Sequence, residues 1–227
     1  QSSLRSLRRD GEGFIAETTT GQVRCRTVIG ADGAFSTVRK CLSPDRPREI
    51  IAVKQFILDE DPEEGVIEFE YGHRYGGGYR WRFPCGDLSN VGFPHGRGET
   101  PANVVEENAR YIPIGHVDPL PLENAILLGD AAAMVNPLSF GGIRVAMLSA
   151  QKAASAIADG DASRYRGWWQ SCGFSKGAFW DAYEVSREWD DERMARFMAV
   201  FRGGYGPVGL ARAMLKGGED RLVAKAF

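Results

Sequence analysis

The stretch that decides the fold is residues 28–40, VIGADGAFSTVRK. An apolar run ends at Gly30, the acid–glycine pair Asp32-Gly33 follows, and a short basic segment begins near Ser36. Ser36 is a plausible helix start, and Pro44 stops that helix by residue 43. The same grammar returns about a hundred residues later in residues 127–147, LLGDAAAMVNPLSFGGIRVAM. Here a buried strand ends in Gly129-Asp130, a loop from Pro137 to Gly142 follows, and a helix begins at Ile143. Ile143, Ala146, Met147, Ala150, Ala153, Ala154 and Ile157 share one helical face, predicted to be buried, and Gly160 is the expected cap.

Around these two units the chain has several strand signals. Asp10-Gly11 and Thr20-Gly21 are turn signals flanking strands at Phe14–Thr19 and Val23–Ile29, with Thr27-Val28-Ile29 read as buried and RSLRR (5–9) as a solvated strand edge. From Glu49 to about Pro94 the pattern has a period of two. Ile67, Phe69 and Tyr71 alternate with Glu68 and Glu70, and Tyr79, Trp81 and Phe83 alternate with Arg80 and Arg82. If these strands pair, glutamates oppose arginines. GHRYGGG (72–78) reads as a flexible connection, and residues 96–110 as polar and weakly patterned. Ser163 to about Arg202 reads as helical, with Gly203-Gly204 as its break and Met194, Phe197, Met198 and Phe201 as a packing stripe.

Composition narrows the function classes. The 227 residues carry a formal net charge of −2, which gives no case for nucleic acid or anionic lipid. No apolar run reaches the ~18 residues needed to span a bilayer. The four cysteines form no CxxC pair, so a reducing, cytoplasmic setting is expected, and peripheral membrane contact remains open. His73, His95 and His116 stand alone, so no metal site is expected. Because the sequence starts at Gln1 and reads as the middle of a domain, it is taken as a fragment.

The chemistry follows from the strand ends. An aspartate at a strand's carboxyl end can hold ribose or ribityl hydroxyls, and neighbouring glycines let the backbone approach a ligand closely. The helix start at Gly142-Ile143 presents free N–H groups and a positive dipole end, suited to an anion. The two runs, in this order, resemble the second and third FAD-binding segments of the p-hydroxybenzoate-hydroxylase-like flavoproteins. Within that superfamily, GGGYRWRFP (76–84) and YIPIG (111–115) resemble the geranylgeranyl reductases.

The resemblance implies a Rossmann-like α/β FAD domain with an inserted antiparallel-sheet domain. The expected boundaries are 1–43 and 119–160 for the FAD segments, 44–118 for the sheet domain and 161–227 for a helical tail. It implies FAD contacts from Asp32, Gly33, Gly129, Asp130, Pro137, Gly141, Gly142 and Ile143. Tyr79, Trp81 and Phe83 would line an apolar substrate pocket, and Tyr79 and Cys85 are the weak proton-donor candidates. The implied reaction reduces a C=C bond of an isoprenoid-like small molecule or lipid. A flavin monooxygenase or halogenase is the first alternative; the second is a non-catalytic remnant that binds an apolar ligand or a partner. The sequence departs from the family at Ala133 and at Phe140-Gly141-Gly142, and no GxGxxG precedes Val28. Gly76-Gly77-Gly78 does not replace it, because it joins two strands.

Overall fold

A computed structural model of the protein describes residues 2–63, 65–199, 218, 219 and 223. In chain order it runs β1 (Leu4–Asp10), β2 (Gly13–Thr18), β3 (Gly21–Cys25), β4 (Val28–Gly30), α1 (Thr37–Leu42) and β5 (Glu49–Leu58). Then come β6 (Glu68–Tyr71), β7 (Tyr79–Cys85), β8 (Leu88–Pro94), β9 (Val104–Ile114) and β10 (Ala125–Leu127). The later helices are α2 (Ile143–Ala158), α3 (Ser163–Ser171), α4 (Gly177–Ser186) and α5 (Asp191–Met198). The expected stripe residue Phe201 and the break at Gly203-Gly204 lie outside the described residues.

The described residues fall into two compact units. The first comprises Gln1–Ile50, Ile112–Asn136 and Phe140–Lys176; the second comprises Ile51–Tyr111, Pro137–Ser139 and Gly177–Phe227. The helical tail therefore divides. α3 joins the first unit because buried Tyr165 donates its hydroxyl to the Leu127 carbonyl at 2.8 Å and Trp169 packs into the same core.

In the first unit β1, β2 and β3 form an antiparallel sheet with β1 at its edge, where Leu7 turns inward and the arginines face out. The expected strand Val23–Ile29 is instead two strands in two sheets. The Asn124 side chain donates to the Glu12 and Arg26 carbonyls, and its own carbonyl accepts from Val28 N–H. That bridge turns the chain at residues 26–27 and starts β4, which pairs in parallel with β10. Gly30 is required there: a Cβ would sit 2.7 Å from the Leu127 side chain and 3.0 Å from Val38.

Two burial expectations are corrected. Thr27 is exposed, lying before β4, and Ile29 is 49% exposed, since the parallel sheet has two strands among the described residues and one face of β4 is uncovered. α2 buries Val145, Ser149, Ala153 and Ala156, while Ile143 is 80% and Met147 70% exposed. The physical reason is close approach. Ala146 packs against Gly129, and Ser149 Oγ accepts the Gly129 N–H at 3.3 Å, so the small-residue face goes inward and the larger stripe faces out. The cap is as expected: Gly160 has φ +71°, and the Asp161 N–H returns to the Ala156 carbonyl.

The second unit is built on an antiparallel sheet of order β6-β7-β8-β5-β9. Part of the weakly patterned 96–110 segment proves to be the first half of the edge strand β9. Residues 72–78 are also ordered by their own bonds: the N–H groups of Tyr75, Gly76 and Gly78 each return to the carbonyl three positions upstream, at 3.0–3.1 Å. Phe56, Leu58, Tyr75, Val91 and Phe93 form the core on one side of the sheet.

Candidate functional site

The first unit brings the two motif loops to the same edge of the parallel pair. Gly30 lies opposite Leu127 in the register, so the chain leaves β4 and β10 side by side, the place where open parallel sheets bind ligands. Asp32, exposed, accepts from Ser36 Oγ at 2.5 Å and from the Thr37 and Val38 N–H groups at 2.6 and 3.1 Å. Ser36 Oγ in turn accepts the Arg39 N–H at 2.9 Å. The start of α1 is thus satisfied twice, as the Ser36 reading requires. With three of about four acceptor positions engaged, Asp32 has little capacity left for a ligand hydroxyl.

Arg39 is the residue that sequence reasoning quoted without assigning a role. It is 1% exposed, and its guanidinium donates to the Ala131 carbonyl at 2.6 Å and the Ala34 carbonyl at 2.7 Å. Each loop therefore contributes one carbonyl to a single rigid fork. Its Nε has no partner, and no carboxylate lies within ion-pair distance of it among the described residues. Burial pulls its pKa below the usual arginine value, while the Asp32 charge acts in the opposite direction. The signal for this role in the sequence is its place six residues after Gly33, in the first turn of α1.

The second loop is tight. Gly129 and Ala133 both have positive φ, at +49° and +52°, and Phe140 reaches +50°. Pro137 is buried, and the Phe140 N–H returns to the Asn136 carbonyl at 2.9 Å. At the start of α2, a Cβ on Gly142 would come within 3.3 Å of Asp130 Oδ1 and 3.1 Å of Val135. Glycine keeps the Asp130 carboxylate open at the helix start, where no side chain caps the N–H groups. Asp130 is half-buried, and no hydrogen bond or ion pair to its carboxylate is found among the described residues. Burial accordingly pushes its pKa up. A partnerless acceptor beside a cleared helix N-terminus fits a ligand that carries hydroxyls and an anionic portion, as a flavin dinucleotide does.

In the second unit the β6–β7 register places Phe69 opposite Trp81, Tyr71 opposite Tyr79, and the glutamates opposite the arginines as expected. Glu70 and Arg80 come to 3.6 Å, but Arg82 takes Glu60 at 2.7 Å. The aromatic face is continuous: Phe69 lies 5.2 Å from Tyr79 and 5.3 Å from Phe83, and Tyr71 lies 5.3 Å from Tyr79. Phe69 and Tyr71 thus join the three aromatics named from the sequence, and cross-strand register is what adds them. Trp81 lies flat over Gly92, where a Cβ would be 2.0 Å from the indole, and its Nε1 donates to Asn90 at 3.1 Å. Tyr79 is buried, donates its hydroxyl to the Ser139 carbonyl, and has its pKa raised by burial and then by Tyr71. Cys85 is exposed at the end of β7. The four cysteines are free thiols.

No family model matches the sequence. Among curated proteins, the chain is 30% identical over 193 residues to digeranylgeranylglycerophospholipid reductase 3 of Methanosphaera stadtmanae, covering 70% of this chain and 49% of the relative. It is also 30% identical over 216 residues to digeranylgeranylglycerophospholipid reductase 1 of Methanopyrus kandleri, covering 78% and 56%. The chain spans about half the length of these curated relatives. Among solved structures, a geranylgeranyl bacteriochlorophyll reductase-like protein from Thermoplasma acidophilum superposes with a TM-score of 0.70 at 20% identity, covering 88% of this chain and 61% of that one. A flavin-dependent halogenase from Brevundimonas shares the fold with a TM-score of 0.62 at 11% identity, over 100% and 55%.

Proposed function

The chain belongs to the geranylgeranyl reductase family of flavoproteins, and from that premise we propose that the protein binds FAD and reduces a C=C bond of an apolar, isoprenoid-like substrate. The observation that carries the flavin part is Asp130. A half-buried carboxylate without a partner among the described residues, held open by Gly142, is suited to accept hydroxyls of a ribityl chain. Gly129 lets the backbone turn sharply enough to present it. Gly141 and Gly142 lead into α2, whose start at Gly142 and Ile143 has no side-chain cap and offers N–H groups to an anionic portion of the ligand. Asp32 supports the site at one remove, by capping α1, and Gly33 by its φ of +78°.

Bound FAD, once reduced, supplies the hydride. The chain's own part is to bind, to orient and to exclude water. The Phe69–Tyr71–Tyr79–Trp81–Phe83 face offers apolar surface to a hydrocarbon chain, and Trp81 is held flat by its bond to Asn90. Tyr79 is a positioning residue in this reading: its hydroxyl is engaged with Ser139, and its raised pKa makes it a weaker acid than ordinary tyrosine. The exposed apolar groups Ile29, Ile143 and Met147 favour coverage of the first unit by further polypeptide in the working flavoprotein.

The test is a visible spectrum of the full-length protein, followed by anaerobic reduction in the presence of an isoprenoid alkene. Flavin bands and an alkene lacking one double bond are expected. Stoichiometric O2 consumption with a hydroxylated or halogenated product would instead establish the monooxygenase or halogenase reading. A colourless full-length protein would leave the non-catalytic reading.

A further inference from the structure

The ladder between β4 and β10 ends with the pair Gly30 and Leu127, and Asp130 lies three residues beyond it. Side chains from two helices take over where the ladder stops. We propose that Ser149 of α2 and Tyr165 of α3 are positioning residues for Asp130, fixing the backbone from which its carboxylate reaches the ligand. The proposal rests on the reading that Asp130 accepts flavin hydroxyls, and adds to it which residues aim that carboxylate.

The supports fall on consecutive residues. The Tyr165 hydroxyl donates to the Leu127 carbonyl at 2.8 Å, the Leu128 N–H to the Gly30 carbonyl at 2.9 Å, and the Gly129 N–H to Ser149 Oγ at 3.3 Å. Of these three, the middle bond alone comes from the neighbouring strand. Past Asp130 the chain folds back on itself: the Ala133 N–H donates to the Asp130 carbonyl at 3.0 Å, and the Met134 N–H to the Gly129 carbonyl at 3.1 Å. The main chain at Asp130 is thus held from both sides, while its carboxylate has no partner among the described residues.

Both hydroxyls are shielded from water, since Ser149 and Tyr165 are each 0% exposed. Ser149 Oγ donates to the Ala146 carbonyl at 2.8 Å, which leaves its lone pairs for the Gly129 N–H. Burial pushes the Tyr165 hydroxyl above the ordinary tyrosine pKa, so it remains a donor, and Ser149 lies within hydrogen-bonding reach of it. The Tyr165 ring stacks on Trp168 with centroids 5.6 Å apart, a contact that needs no hydroxyl. Gly129 makes such support necessary, because its φ of +49° lies in a region that glycine enters and leaves freely. Fixing a residue's backbone costs conformational entropy. Where two buried hydroxyls fix it in the free protein, ligand binding does not bear that cost.

The experiment uses the full-length protein freed of flavin and titrated with FAD, followed by the quenching of FAD fluorescence. Tyr165→Phe and Ser149→Ala each delete one hydroxyl and leave the rest of the side chain. Each is expected to raise the FAD Kd about three- to tenfold, the loss of one buried hydrogen bond. Amide exchange at Asp130 and Ala131 should quicken in the flavin-free variants. The decisive comparison is an Asp130→Ala background, which has no carboxylate to aim: there the same two changes should move the Kd by less than about twofold. With one variant on each helix, failure of either to fold leaves the other to decide. An equal rise with and without the Asp130 carboxylate overturns the proposal, since the hydroxyls would then support the fold and nothing more. So does an unchanged Kd in the variants while the parent binds FAD. A parent protein that binds no FAD overturns the proposed function, and the positioning role with it.

Discussion

Replacing Arg39 with methionine keeps a long unbranched side chain and deletes the fork that ties the two motif loops together. Two hydrogen bonds from a charged donor are lost, at 2.6 and 2.7 Å, and each such bond contributes about 1.5–3 kcal/mol. The Ala34 and Ala131 carbonyls are left without that donor. Opposing this, methionine relieves the burial of a cation, an effective penalty of several kcal/mol. With both carbonyls still in place the loss should dominate, leaving a net destabilisation of about 2–4 kcal/mol. At roughly 2–4 °C per kcal/mol for a chain of this size, Tm should fall by about 4–16 °C.

Arg39→Lys keeps the charge but presents it as one compact ammonium group, so it should fall between the two. The assay is thermal unfolding by circular dichroism, with amide exchange read at residues 31–36 and 129–134. Both segments should exchange faster in the methionine variant. A Tm within about 1 °C of the parent, with unchanged exchange in both loops, would refute the argument that this guanidinium holds the two motifs in place.

Other predictions test the remaining parts. Asp130 has a folded pKa above its unfolded value, so the native state holds more protons in that window and stability falls as pH rises through it. Asp130→Asn should remove that loss, giving a higher Tm at pH 7 and little change at pH 3, while flavin affinity falls by about tenfold or more through the lost charged acceptor. His116 has its pKa lowered by burial and then by Arg48, so stability should drop as pH falls from about 6.5 toward its folded value. His116→Phe should flatten Tm between pH 7.5 and 5. Gly92→Ala places a methyl group where the Trp81 indole lies and should cost about 1–3 kcal/mol, with a changed tryptophan emission. An unchanged spectrum and Tm would mean that Trp81 does not lie flat there.

The two motif runs were legible because they are local. A turn that needs glycine and a helix start at Ser36 are decided by neighbours in the chain, and both stand as read, whereas the strand before them divides at residues 26–27. The pairing of glutamates with arginines across β6 and β7 was likewise contained in a period of two, although Arg82 found Glu60 from another segment. Ile29 and the stripe of α2 were misread because apolarity does not say which face a neighbour will cover. The small side chains at Ala146 and Ser149 allow contact with Gly129, and that contact oriented the helix.

The sequence by itself determined the strand-to-helix units, their order and their likeness to a flavoprotein family. It also marked an aromatic sheet face as a candidate for substrate. Tertiary structure decided which aspartate is engaged and which is open, a distinction between two residues with the same local signature. Asp32 meets the N–H groups of α1, which begins five residues on, whereas the Asp130 carboxylate has no partner among the described residues. It also decided the role of Arg39, whose carbonyl partner at Ala131 lies 92 positions away. Side-chain chemistry and short-range turns are written along the chain. Partners that depend on which strands lie side by side are settled when the sheet forms.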